Sequence, residues 1–271
     1  MSKLSNILHD QDECIHFITL ATKSHPSLDK LCEMYQEHGI TVTILGMGDS
    51  RLQRWGHGFG VKLDLVQNHL EQLTKHNKNP LIVFTDAFDV LLVANIGSLH
   101  ADLRERYNKM QSTVVFSAEK NCAPDKDREH EYPLISSLVS SPYKFLNSGT
   151  YMGPAKSILE LIHSLPYNIQ TDDQRYWTTL YLKHVNKLDN DGRLIMSLDT
   201  NASIFMCMHA SEYDVTPVLP PSIKGENISN TSRFKRQRCI FYNNITKTYP
   251  LYLHFNGNKR PLNWFYKQWK Q

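Results

Sequence analysis

Apolar positions along this chain follow two rhythms, short β-rich runs and stretches with one apolar residue every three or four positions. "IHFITLAT" (15–22) predicts a buried strand. "SLDKLCEMYQEHG" (27–39) predicts a helix, with Leu28, Leu31, Met34 and Tyr35 near helical spacing and Gly39 as its stop. "ITVTILGMG" (40–48) predicts a second strand that breaks into a glycine-rich loop. "VKLDLVQNHLEQLTKH" (61–76) has the helical period again, with Leu63, Leu65, Leu70 and Leu73 as candidate core positions. "NKNP" then turns the chain into a third apolar run. Strands alternating with helices predict right-handed βαβ units and a parallel sheet.

Further along, "STVVFSAE" (112–119) predicts a strand ending in Glu119. "KFLNSGTYMGP" (144–154) is small and polar and leads into a helix at 155–164. "TDDQRYWTTLYLKH" (171–184) opens with acidic residues that suit a helix N-terminus. "RLIMSLD" and "IFMCM" predict short strands, and residues 216–232, rich in Pro, Ser and Asn, predict a loop. "PLYLHFNGNKR" (250–260) predicts a strand running into an Asn/Gly turn. The aromatic residues Trp264, Phe265, Tyr266 and Trp269 are expected to pack the closing segment onto the rest. Neither an internal repeat nor a domain boundary stands out, so residues 1–271 are expected to form a single α/β domain.

The third apolar run carries the first candidate chemistry. "LIVFTDAFDVLLV" (81–93) places Asp86 and Asp89 between two β-rich segments. A buried strand does not accept two carboxylates without compensation. In parallel sheets ligands sit beyond the carboxyl ends of the strands, and Asp86 follows Phe84 at such an end. Two carboxylates three residues apart can hold a divalent cation that bridges to a diphosphate. The structural alternative is a helix cap and a lysine partner.

Composition narrows the classes. Hydrophobic content of 41% and charged content of 21% are ordinary for a globular protein, and a net charge of +3 is too mild to argue for nucleic acid. No apolar run reaches the roughly 18 residues of a membrane span, and the polar N-terminus lacks the apolar core of a secretory signal. Five scattered cysteines without a CxxC pair argue against a disulfide framework and a structural zinc site. Sequons at Asn201, Asn227, Asn230 and Asn244 read as chance in an Asn-rich sequence.

Other residues add to the picture, each beside a plainer role. His254 ends an apolar strand before "FNGNK", where an imidazole could be a third ligand and the turn with Lys259 could meet phosphate. A lone histidine is more often structural. Lys62 follows "GHGFG" at a helix start, a setting that attracts anions, although the full P-loop pattern is missing. Asp172 and Asp173 either favour the helix macrodipole or face a sugar and its developing positive charge. Arg233, Lys235, Arg236 and Arg238 alternate as on the solvated face of an edge strand.

In order along residues 15 to 260, "ITLAT", "LGMG", "VFTDAFDVLL", "FSAE", "KFLNSGTYMG", "DDQRYWTTLYL", "SIF" and "LHFNGN" resemble the collagen glycosyltransferase domain of the multifunctional procollagen lysyl hydroxylases. Their viral counterparts and the broader GT-A glycosyltransferases are related. The resemblance implies a GT-A (Rossmann-like) fold with a central, mostly parallel sheet flanked by helices. It implies that Asp86, Asp89 and His254 hold Mn²⁺, or Mg²⁺, on a UDP-sugar. Phe88 matches an aromatic residue against the uracil, and Thr22 and Lys62 match donor-contacting positions. Asn256 and Gly257 match the phosphate turn, with Lys259 about one residue from the family's lysine. Asn147 matches a donor-sugar contact. Asp172 and Asp173 match the end of an acidic run near the transferred sugar, and Glu119 faces the same region. This chain departs in Phe255, where the family usually has glycine, in Ala123, where it has an aromatic residue, in its shorter acidic run and in its shorter loop at 49–58.

The function implied is transfer of glucose from UDP-glucose to galactosyl-hydroxylysine of a collagen-like polypeptide, with retention of configuration. The alternatives are galactose transfer onto hydroxylysine, transfer onto another glycan, and a non-catalytic collagen-binding module. No nucleic-acid partner and no membrane span are expected. The compartment expected is cytoplasmic, in a viral or host setting, with the secretory lumen as the alternative.

Overall fold

The computed structural model describes residues 14–51, 58–75, 78–132, 141–218, 239–257 and 260–269. The first strand, β1 (Ile15–Leu20), is followed by α1 (Pro26–Glu37), β2 (Thr43–Leu45), α2 (Gly60–Thr74) and β3 (Leu81–Asp86). Leu28, Leu31, Met34 and Tyr35 of α1 are buried, as their spacing predicts. In α2, Leu63 and Leu70 are buried and Leu65 and Leu73 half-buried. β1 pairs in parallel with both β2 and β3.

After β3 come β4 (Val90–Leu92), α3 (Leu99–Lys109), β5 (Ser112–Glu119), β6 (Phe145–Pro154), α4 (Ala155–His163) and α5 (Asp173–His184). The rest comprises β7 (Leu194–Asp199), β8 (Phe205–Cys207), β9 (Val215–Val218), β10 (Ile240–Asn243), β11 (Tyr252–His254) and α6 (Arg260–Trp269). Nine strands form one sheet in the order β2-β1-β3-β6-β5-β8-β11-β4, with β7 paired on β5. The α/β architecture with a mostly parallel sheet is therefore the one observed. The exceptions are β6, antiparallel to both β3 and β5, and β4, antiparallel to β11.

The segment at 144–154 read as small and polar is in fact a buried strand of ten residues. Its small side chains suit a central position, because Gly153 has backbone and side chains of β5 close against it. Residues 215–218, inside or beside the expected loop, pair with β10 as a separate two-stranded sheet. Phe265 and Tyr266 of α6 are buried as expected, but Trp264 is 49% exposed. The side chain of Trp269 and the basic run at 233–238 lie outside the described residues.

β3 and β4 are separated by three residues in sequence and by five strand-to-strand steps in the sheet. A flat sheet would put them about 24 Å apart, whereas the four peptide steps from Asp86 to Val90 reach at most about 15 Å. The sheet must therefore curl until its β4 edge approaches the end of β3, and Asp86 and Asp89 lie at the closure. Among the described residues no helix is long and apolar enough to cross a membrane.

Candidate active site

Three potential ligands meet at the closure. Asp86 is the last residue of β3, Asp89 precedes β4, and His254 is the last residue of β11. Antiparallel pairing sets His254 opposite Val90, and the Phe255 N–H donates to the Asp89 carbonyl across 2.7 Å. His254 Nε2 lies 3.7 Å from Asp86 Oδ2 and 3.6 Å from Asp89 Oδ1. One ligand atom from each residue lies within 4.8 Å of the others. Ligands bound about 2.1 Å from one cation stand about 3 to 4 Å apart, so the spacing fits a divalent ion. Two carboxylates and an imidazole suit Mn²⁺ or Mg²⁺ better than a soft metal.

Two further observations fit the same group. A Cβ on Gly149 would lie 2.2 Å from His254 Cε1 and 2.8 Å from Asp86 Oδ2, so β6 closes on the cluster with no space to spare. Buried His254 Nδ1 has no hydrogen-bond partner among the described residues. Burial by itself would lower the His254 pKa, but Asp89, then Asp86 and Glu119, outweigh it and raise it. The carboxylates around the imidazole thus favour its protonated form.

Lys62, on the first turn of α2, donates to Asp86 Oδ1 at 2.9 Å and to Asp173 Oδ2 at 3.2 Å. Burial opposes its charge, yet the carboxylates of Asp173 and Asp86 raise its pKa. Asp173 also accepts from Ser148 Oγ at 3.1 Å. Neighbouring Asp172 plays a different part. It caps α5, its Oδ1 accepting from the Arg175 N–H at 2.9 Å. The paired aspartates thus divide, one turned to the helix and one to the cluster.

Glu119, at the end of β5, is 3% exposed and accepts from Asn147 Nδ2 at 2.8 Å and from Asn256 Nδ2 at 2.9 Å. Burial pushes its pKa up to about 7, against the effect of the two amides and His254. Asn147 Oδ1 in turn accepts from the Gly149 N–H at 3.0 Å. Asn256 Oδ1 accepts from the His209 N–H at 3.3 Å, and Gly257 has a φ of +82° with the His209 ring against it. Any Cβ at Gly257 would meet His209 Nδ1 at 2.5 Å, so this turn needs glycine twice over. Phe88 lies beyond Asp86 with its ring half-exposed, and the Thr22 carbonyl accepts from the Gly48 N–H at 2.9 Å. Lys259 lies outside the described residues.

Sequence reasoning passed over Ser148 and Gln174. Gln174 Oε1 accepts from the Ser148 N–H at 2.7 Å, and its Nε2 donates to Leu146 O and Ala123 O. This one amide ties β6 to α5 and to the segment after β5. Ser148 and Gln174 sit inside the stretches "KFLNSGTYMG" and "DDQRYWTTLYL". Their role rests on contacts between distant segments, so no local pattern marks it.

A model of the PLOD GT domain matches residues 11–268. A "Procollagen-lysine,2-oxoglutarate 5-dioxygenase" of Drosophila melanogaster is 29% identical over 205 residues, 74% of this chain and 26% of that protein. A "Multifunctional procollagen lysine hydroxylase and glycosyltransferase" of Caenorhabditis elegans is 28% identical over 269 residues, 96% of this chain and 33% of that protein. The Homo sapiens protein of that name, LH3, is 26% identical over 245 residues, 89% of this chain and 29% of its own. The chain spans a quarter to a third of the length of these relatives. With the family matched along nearly its whole length, the chain belongs to the PLOD GT domain family and is a glycosyltransferase.

Proposed function

We propose that this chain transfers glucose from UDP-glucose to galactosyl-hydroxylysine of a collagen-like polypeptide, with retention, using Mn²⁺ held by Asp86, Asp89 and His254. The observation that carries the reading is the meeting of those three side chains beside the Lys62–Asp173 pair. Support for the acceptor class comes from relatives named as procollagen lysine hydroxylases and glycosyltransferases.

The cation would supply positive charge to the diphosphate as the anomeric C–O bond breaks. Lys62 adds a second positive charge on the side of Asp173. Lys259 and the turn at Asn256 and Gly257 take the leaving diphosphate. Asp173, steadied by Lys62 and Ser148, faces the sugar ring and stabilises its oxocarbenium-like charge. Asp172 holds that turn of α5 in place. Glu119 fixes the amides of Asn147 and Asn256, so that Asn147 meets sugar hydroxyls and Asn256 the phosphate side. Phe88 and Thr22 receive the uridine. The acceptor oxygen attacks the anomeric carbon from the face the diphosphate leaves, and its proton passes to the departing phosphate oxygen.

The test is UDP release from UDP-glucose and UDP-galactose, with and without Mn²⁺, using a galactosyl-hydroxylysine peptide as acceptor. Acceptor-stimulated turnover of UDP-glucose that needs Mn²⁺ is expected. Turnover of UDP-galactose on bare hydroxylysine would replace the donor and acceptor, and full activity of Asp86→Ala would remove the metal assignment.

A further inference from the structure

Residues 208–214, between the end of β8 and the start of β9, form a turn that is tied down from three sides. The Met208 N–H donates to the His254 carbonyl at 2.7 Å, and the His209 N–H to Asn256 Oδ1 at 3.3 Å. Within the turn, Ser211 N–H donates to the Met208 carbonyl and Asp214 N–H to the Ser211 carbonyl, each at 3.0 Å. Lys120, the residue after Glu119, donates to the Ala210 carbonyl at 2.9 Å and pairs with Asp214 Oδ2 at 2.6 Å. The Tyr143 hydroxyl donates to the same Asp214 oxygen at 2.8 Å. The turn is thus built onto the strand of His254, the Asn256 turn and the end of β5.

On this braced turn Tyr213 is 97% exposed, whereas the other exposed large hydrophobic side chains of the described residues lie between 43% and 59%. Its ring and hydroxyl make no hydrogen bond or ring contact among the described residues. The turn does not need the ring for its own stability. A tyrosine on rigid backbone offers a large contact area with few rotors to immobilise, which suits it to binding.

Strand order sets where this ring stands. In the curled run β3-β6-β5-β8-β11-β4, β8 is three steps from β3 in one direction. Across the approach of β4 to the end of β3 it is also three steps away in the other. The turn after β8 therefore rises opposite the end of β3, where Asp86 and Phe88 lie. With the uridine assigned to the β1 and β3 side, the β8 flank is left for the acceptor. A collagen-like chain is a run of extended polyproline-type backbone, and exposed aromatic side chains dock prolines in that conformation.

We propose that Tyr213 docks the acceptor polypeptide, its ring stacking on a proline that flanks the residue receiving the sugar. This rests on the reading that the chain glycosylates a collagen-like polypeptide.

The experiment compares a proline-rich galactosyl-hydroxylysine peptide with free galactosyl-hydroxylysine as acceptors for wild type, Tyr213→Ala and Tyr213→Phe, with melting temperatures alongside. Tyr213→Ala should melt like wild type and raise the peptide KM about fivefold or more. Its kcat, its KM for UDP-glucose and its KM for the free amino acid should stay within about twofold. Tyr213→Phe keeps the ring and should match wild type. An unchanged peptide KM in Tyr213→Ala overturns the proposal, as does an equal rise for both acceptors or a loss in Tyr213→Phe as large as that in Tyr213→Ala. If wild type turns over neither acceptor, the proposed function fails too, which is seen before any variant is made.

Discussion

Lys62 Nζ lies 2.9 Å from Asp86 Oδ1, so one of the three candidate cation ligands is already engaged by an ammonium group. The same ammonium reaches Asp173 at 3.2 Å and links the candidate metal ligands to the carboxylate we propose to face the sugar. A positive charge this close opposes a second one, and the effect is strong where water is scarce. Lys62→Met should therefore bind Mn²⁺ alone several-fold more tightly, while its turnover of UDP-glucose falls by at least about tenfold. Titration of Mn²⁺ by electron paramagnetic resonance, beside UDP-release rates, checks both halves. Weaker Mn²⁺ binding in the variant would refute the opposition.

Gly149 tests how tightly β6 closes on the cluster. A methyl group there would meet His254 Cε1 at 2.2 Å and Asp86 Oδ2 at 2.8 Å, distances that force a ligand to move. Gly149→Ala is expected to fold, to lose Mn²⁺ affinity by about tenfold or more, and to lose most activity. Unchanged metal affinity would mean that His254 and Asp86 have freedom the packing does not suggest.

The adjacent aspartates should separate cleanly on substitution. Asp172→Asn keeps an acceptor for the Arg175 N–H and should leave activity within about threefold, since Asn caps as well as Asp. Asp172→Ala should lower stability by about 1 kcal/mol. Asp173→Asn removes the charge that faces Lys62 and, on the proposed function, the sugar, and should reduce turnover by about a hundredfold or more with little change in UDP affinity. Steady-state rates and UDP titrations on the three variants decide it. Equal losses for Asp172→Asn and Asp173→Asn would contradict the division.

Glu119 makes a prediction about pH. Its native pKa, raised to about 7 by burial, exceeds its ordinary value of 4.5. Between those values the native protein keeps a proton that the unfolded chain has released. The stability this contributes is complete below 4.5 and is lost as pH rises through 7. His254, whose pKa is also raised, acts with the same sign, so the comparison is the difference between wild type and a variant rather than wild type alone. In EDTA, Glu119→Gln should gain on wild type in denaturant midpoint from pH 5 to pH 8. A constant gap across that range would assign Glu119 an ordinary acidity.

The alternation of strands and helices from β1 to β3, the buried faces of α1 and α2, and the carboxylates at a strand end were legible in the sequence. Those features come from local periodicity and from the cost of burying charge, both of which act within a few residues. Asp86 and Asp89 could be marked as out of place in an apolar run, and His254 as the end of another. Their meeting is not local. It follows from a sheet that curls until β4 joins β11, and the three-residue span between β3 and β4 makes sense only once the strand order is known. The buried course of β6 was hidden because glycine, serine and asparagine look like a loop until neighbouring strands surround them. Likewise the bridge from Lys62 to Asp86 and Asp173, the Glu119 link between Asn147 and Asn256, and the split between Asp172 and Asp173 join segments far apart in sequence. The sequence by itself determined which residue types were available and at which strand ends. Tertiary structure decided which of them share a site, because those contacts depend on chain closure and packing rather than on spacing.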